Sequence, residues 1–238
     1  MKEMLKIIRE RHSARVLFDP KRPVAGEDLR QILEAARWAP TAHNMQNFEI
    51  VVVDDAELLT ALSNIRHEVD ETFIRENARQ LSFSEEELRQ KKVGILGTMF
   101  PPSWRTPGVS PVPHEERRHA FLGGPIQKSA VLLFALYDPG RRAPASEGDF
   151  LGIMSLGCVM ENMWLMAHSL GIGVHILSVL SAEDVERQVK PLLDIPAHLK
   201  IAFAVRLGYP VTSPTYLRVR REVDDFAHHN RYGRKGLG

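Results

Sequence analysis

Apolar residues along this chain recur first at helical spacing and then in short β-branched runs. Residues 3–11 place Met4, Leu5, Ile7 and Ile8 on one side of a helix. Over residues 27–38, Leu29, Ile32, Leu33 and Ala36 repeat the pattern, and Pro40 ends it because its ring cannot continue the hydrogen-bond ladder. The run "FEIVVV" predicts a buried strand over 48–53, and "SAVLLFALY" a second over 129–137. Between them, residues 55 to about 100 predict charged helix. The segment "MFPPSWRTPGVSPVP" then breaks that pattern with Pro101, Pro102, Pro107, Pro111 and Pro113. Residues 66–120 thus predict an excursion from the core with the character of a lid. Residues 150–170 are apolar nearly all round, which predicts a helix buried on every side. "VHILSVL", "AEDVERQVKPLL" and "HLKIAFAVRLGYP" follow as strand, helix and strand. The expected class is α+β, loosely α/β, in one domain over 1–238.

Composition narrows the function classes. A net charge of +1 gives no global field for nucleic acid or an anionic membrane. The single cysteine, Cys158, excludes an intrachain disulfide and a cysteine cage for metal, and its place in the long apolar helix predicts packing. The N-terminal "MKEMLKIIRERHSAR" has no apolar signal core, so a cytoplasmic location is expected. The helix over 150–170 is long enough to span a bilayer, but Glu161, Asn162 and His168 interrupt it. The centre of an oligomer interface suits it better. Trp164, Met160 and Met163 belong either to that interface or to the core.

Three polar clusters could carry chemistry. "RERHSAR" brings Arg11, His12, Ser13 and Arg15 to a helix end. "PTAHNMQN" holds Thr41, His43, Asn44 and Gln46 in a short connection. "RVRR" holds Arg218, Arg220 and Arg221. A guanidinium grips phosphate oxygens with two parallel hydrogen bonds, and residues two apart share a face of an extended chain. The alternative is a solvated basic surface. Asn44 and Gln46 offer donor and acceptor together, which matches the edge of a flavin or pyrimidine, or else they cap loop backbone. Arginines at both ends plus such amides fit a phosphorylated aromatic cofactor, and no Gly-rich phosphate loop is present. His43, His114, His119, His228 and His229 are scattered without acidic partners at ligand spacing, so no metal site is expected.

These segments resemble the nitroreductase family of FMN-dependent oxidoreductases. The resemblance rests on "RHSAR", "AARWAPTAHNMQNFEIVVV", "AHSLGIGVHILSVL", "LDIPAHLKIAFAVRLGYP" and "RVRREVDDFAHHNRYG", in the family's order. It implies a central mixed or antiparallel sheet flanked by helices, and a homodimer whose interface holds the long helix and two FMN sites. Arg11, His12 and Ser13 match the segment that holds the phosphate and ribityl chain. Arg15 matches a basic position near flavin N1 and C2=O. Pro40, Thr41 and Ala42 match a loop reaching in from the other subunit, with Asn44 and Gln46 following. Ile176, Leu177 and Ser178 match the strand against the ring near N5, and Arg218 and Arg220 the C-terminal basic pair on the phosphate. The implied activity takes hydride from NADH or NADPH onto flavin N5 and passes it to a small acceptor such as a nitroaromatic or quinone, with no dedicated catalytic side chain.

Departures bear on the substrate. Asn47 and Phe48 stand where many relatives carry Pro-Trp, and Ser178 where several carry an acid. Trp104 and Phe100 would form an aromatic wall over the flavin or a small satellite core. A flavin-fragmenting or dehalogenating relative, a non-catalytic flavin-binding protein, and a nucleic-acid module on the basic tail are the competing functions. Glu222, Asp224 and Asp225 balance that tail.

Overall fold

The N-terminal apolar stripe folds as α1 (Glu3–Glu10), and the next as α2 (Gly26–Arg37), which buries Leu29, Ile32 and Ala36. This computed structural model describes residues 2–67, 82–97, 123, 126, 129–146, 148–213 and 216–236. They group into two compact units, Met1–His67 with His119–Pro214, and Glu68–Arg118 with Thr215–Gly238.

The first unit continues with β1 (Glu49–Val53) and α3 (Ala56–Ser63), whose N-cap Asp55 accepts from the backbone N–H groups of Glu57 and Leu58. In the second unit lie β2 (Ser82–Phe83), α4 (Glu85–Lys91) and β3 (Ile95–Leu96). Back in the first come β4 (Val131–Tyr137), α5 (Phe150–Ser169), β5 (Gly173–Ile176), α6 (Glu183–Leu192) and β6 (Lys200–Gly208). Four strands form one antiparallel sheet in the order β1-β4-β6-β5.

β4 is buried on both faces, which is why its sequence is an unbroken apolar run. Leu133 and Ala135 face α2 and α5, together with Val159, Met163 and Leu207. Leu132, Phe134 and Leu136 face the opposite core with Leu180, Val185 and Val189. Each fully buried side chain of this size contributes about 1.5–3 kcal/mol.

One expectation needs correcting. The strand expected over 174–180 ends at Ile176. Leu177 N–H still donates to Ala204 O, but Leu180 N–H then turns back onto Leu177 O, and Ser178–Ser181 is a 3-10 turn that buries Leu180. The long helix is covered along a single stripe within one chain. Its inward stripe is Leu156, Val159, Met163, Trp164 and Ala167, whereas Phe150 and Ile153 in its first turn remain 65% and 62% exposed. That helix is long and apolar enough to cross a membrane by length and composition.

In the second unit, β2 and β3 pair in parallel around α4, which opens on a reciprocal Ser84–Glu87 capping box. The helical pattern expected up to about residue 100 stops at Lys92, which is left-handed at φ 57°. Lys92 Nζ lies 3.1 Å from Glu222, just ahead of α7 (Val223–Phe226). The part of the excursion that carries Phe100, Trp104, His114 and His119 lies outside the described residues.

Candidate functional site

The "RHSAR" segment is extended and laid along the sheet. Ser13 pairs with Val174 as a parallel bridge, and Ala14 N–H donates to Val174 O at 2.8 Å. Further on, Leu17 and Asp19 exchange backbone bonds with Val211 and Tyr209. The approach is close: a Cβ on Gly173 would fall 2.8 Å from the Ala14 Cβ, and one on Gly208 2.6 Å from the Phe18 ring.

A buried cation holds this segment down. Arg206, in the middle of β6 and 4% exposed, donates through Nη2 to Ala14 O and Val16 O at 3.2 and 2.7 Å. Its guanidinium lies 4.4 Å from the Phe18 ring centroid, and its Nε donates to His175 Nδ1 at 3.1 Å. Burial, then the charges of Arg206 and Arg15, push the His175 imidazole down to about 3. His175 is therefore a neutral acceptor at ordinary pH, and its proton sits on Nε2.

One stripe of α5 grips the start of the segment. Trp164 Nε1 donates to His12 O at 3.2 Å, and the Arg11 guanidinium lies 4.6 Å from the Trp164 ring centroid. Arg11 Nη2 is 3.4 Å from Glu161 Oε1, and His12 meets His168 edge to face. His12 Nδ1 lies 2.9 Å from Glu10 O; a carbonyl only accepts, so that nitrogen carries the proton.

The second cluster is a loop under backbone strain. His43, Asn44 and Gln46 all take left-handed φ, at 50°, 52° and 47°, where a side chain costs about 1–2 kcal/mol relative to ordinary backbone. Thr41 Oγ1 accepts from Gln46 N–H, and Gln46 Nε2 donates to Asn44 Oδ1. Two anchors fix the loop. Ala42 N–H donates to Ser155 Oγ of α5 at 2.9 Å. Asn47 donates to the carbonyls of Asp138 and Arg141 at 2.9 Å each and accepts from Asp138 N–H. Asn47 thus caps loop backbone, while Asn44 and Gln46 stay exposed. Against the loop lies a shallow cleft lined by Thr41, Phe48, Tyr137, Arg141 and Ser155. The Tyr137 hydroxyl there is pushed up by burial and then by Asp149 and Glu186, so it remains a protonated donor.

The structure therefore joins some of the expected residues and separates others. Ser13 pairs with β5 and the charge of Arg15 reaches His175 in it, and the strand ends at Ile176 and leads through Leu177 into the turn that opens at Ser178. Pro40, Thr41, Ala42, Asn44 and Gln46 are tied to α5 at Ser155, nine residues before Trp164, or about 13 Å along the helix axis. Arg218 and Arg220 belong to the second unit, on non-helical backbone ahead of α7, where Arg220 Nη1 donates to Val219 O.

Reading the sequence for chemistry missed the supports: Arg206, His175, Trp164, Glu161 and Asn47. One signal was available, because an arginine inside the apolar strand "KIAFAVRLGYP" demands buried partners. The donor set fits a phosphorylated heteroaromatic group. Guanidinium and hydroxyl donors from Arg11, Ser13 and Arg15 share one pinned segment beside the β5 terminus, and the exposed amides are held on a second, strained loop.

The nitroreductase family profile matches residues 8–209, and the chain belongs to the nitroreductase family. A candidate NADH dehydrogenase/NAD(P)H nitroreductase of Archaeoglobus fulgidus is 27% identical over 210 residues, covering 88% of this chain and 87% of that one. An NADPH-dependent oxidoreductase of Staphylococcus aureus is 23% identical over 227 residues, covering 95% and 72%. Among solved structures, a candidate nitroreductase of Desulfovibrio desulfuricans in complex with FMN superposes with a TM-score of 0.60 at 20% identity, over 98% of this chain and 99% of that one. The mixed helical and antiparallel-sheet architecture is thus the nitroreductase fold.

Proposed function

We propose that this protein is an FMN-dependent NAD(P)H oxidoreductase that works as a homodimer with an acceptor-binding site on each flavin. The carrying observation is the split within one chain. The phosphate-grade donors of Arg11, Ser13 and Arg15 lie with the β5 terminus near the C-terminal part of α5, whereas the amide loop is tied near its start. Two copies related by a twofold axis, packed through the exposed Phe150–Ile153 side of α5, would bring each loop to the other copy's pinned segment.

Bound FMN would supply the redox chemistry, exchanging hydride between NADH or NADPH and a small acceptor such as a nitroaromatic or quinone. The chain's own groups position and polarise. Arg11, His12 and Ser13 would hold the phosphate and ribityl chain. Arg15 places a permanent positive charge at the pyrimidine edge. Asn44 and Gln46 would match that edge with neutral donors and acceptors, and the Ile176–Leu177 backbone would lie on the N5 side of the ring. The 1–238 chain acts as one FMN-binding domain with a variable excursion, in the cytoplasm.

The experiment is anaerobic mixing of FMN-loaded protein with NADH or NADPH, followed by the flavin absorbance near 450 nm. Bleaching, then recovery when a quinone or nitroaromatic is added, is the expected result. A protein that binds flavin yet never bleaches is a carrier and overturns the enzymatic reading.

A further inference from the structure

We propose that Glu161 is a built-in competitor for the phosphoryl group at Arg11, so that it weakens the protein's grip on a phosphorylated flavin. The inference rests on the reading above that Arg11 faces the cofactor's phosphate. The Arg11 guanidinium lies over the Trp164 ring, 4.6 Å from its centroid. Anions meet a guanidinium at its in-plane edge, where the N–H groups point. Glu161, three residues before Trp164 on the same helix, takes part of that edge through Nη2.

The contact is suited to exchange. At 3.4 Å it is longer than the 2.7–2.9 Å of a tight charge-assisted bond. Both side chains keep solvent access, at 23% for Arg11 and 38% for Glu161, so the pair is screened and either member can be rehydrated as the other changes partner. An incoming phosphoryl group wants the same N–H groups, and once it holds them a carboxylate remains close to its negative charge. Both effects disfavour the phosphorylated ligand. Neither touches a flavin that lacks the phosphate.

The test uses protein freed of flavin and titrated separately with FMN and with riboflavin, following quenching of flavin fluorescence. Glu161→Gln keeps the shape and removes the charge. It is expected to tighten FMN about two- to fivefold, the range set by a partly exposed ion pair, and to leave riboflavin unchanged. Glu161→Asp, which keeps the charge but shortens the reach to Arg11, should fall between the two. In an Arg11→Ala background the Glu161→Gln gain should vanish. An unchanged or lowered FMN-over-riboflavin preference in Glu161→Gln overturns the proposal, provided that Arg11→Ala lowers that preference in the parent protein. If Arg11→Ala also leaves it unchanged, the assignment of Arg11 to the phosphate fails, and this inference with it.

Discussion

The two halves of the candidate site are held by opposite means. The Arg11–Phe18 segment is pinned by buried groups: Arg206 from below, Trp164 from the side, and two glycines that let the backbones close up. The 41–46 loop is exposed, carries three left-handed residues, and hangs on Ser155 and Asn47. A segment that must present permanent charges to a phosphate gains from rigidity, since misplacing a charge by an ångström loses most of its directional bonding. In the proposed dimer the loop would meet a second copy with its amides held outward, and its backbone strain is offset by a few strong anchors.

Breaking the rigid half should have the largest effect. Arg206→Met leaves the Ala14 and Val16 carbonyls and His175 Nδ1 without their donor. We expect about 3–5 kcal/mol lost in urea unfolding, with flavin binding abolished, because several buried acceptors go unsatisfied at once.

Acid should reach the same half next. The folded-state value of His175 lies near 3, below its ordinary 6.5. Above 6.5 both folded and unfolded chains carry a neutral ring, and this contribution to stability is fully present. As the pH falls from 6.5 toward 3, the unfolded chain takes up a proton that the folded chain refuses. Stability then drops by up to about 1.4 kcal/mol per pH unit. Unfolding measured at pH 7 and pH 5 should show about 2 kcal/mol of this loss, and His175→Gln should flatten the profile. An equally steep profile in the variant would assign the acid sensitivity elsewhere.

The looser half should respond less. Asn47→Ala removes the bonds to Asp138 and Arg141 and is expected to cost about 1–2 kcal/mol. Amide exchange should rise over residues 41–48 while residues 13–18 remain protected. Smallest of all, His43→Gly removes the side-chain cost of the left-handed conformation and adds unfolded-state entropy. The two nearly cancel, leaving a net gain below about 1 kcal/mol in the melting experiment.

Much of this arrangement was legible in the sequence, for physical reasons. β4 and β6 announce themselves because burial on two faces forces continuous apolar runs, and α2 ends at Arg37, just ahead of Pro40, which cannot continue a helix. The donors of Arg11, Ser13 and Arg15 stood out as two charges and a hydroxyl crowded at a helix end. What stayed hidden depends on contacts between residues far apart in the chain. Arg206 meets Ala14 across 192 positions and Asn47 meets Arg141 across 94, and neither pairing leaves a periodic trace. The all-round apolarity of the long helix exceeds what one chain covers, a single stripe, which is why an oligomer interface is the preferred reading for it. Where β5 ends was likewise undecidable from "VHILSVL", since strand and turn both bury the same leucines.

The central claim is that each site needs the pinned segment of one copy and the amide loop of another. Subunit mixing tests it most directly. One chain would carry Arg11→Ala with Arg15→Ala, the other Asn44→Ala with Gln46→Ala, each unable to retain FMN alone. If the halves come from different copies, random co-assembly makes half the dimers mixed, with one intact site in each, and FMN returns to about a quarter of all sites. If both halves of a site come from the same chain, no mixed dimer holds an intact site. Flavin retention would then stay at the level of the two parents, and the account would be contradicted.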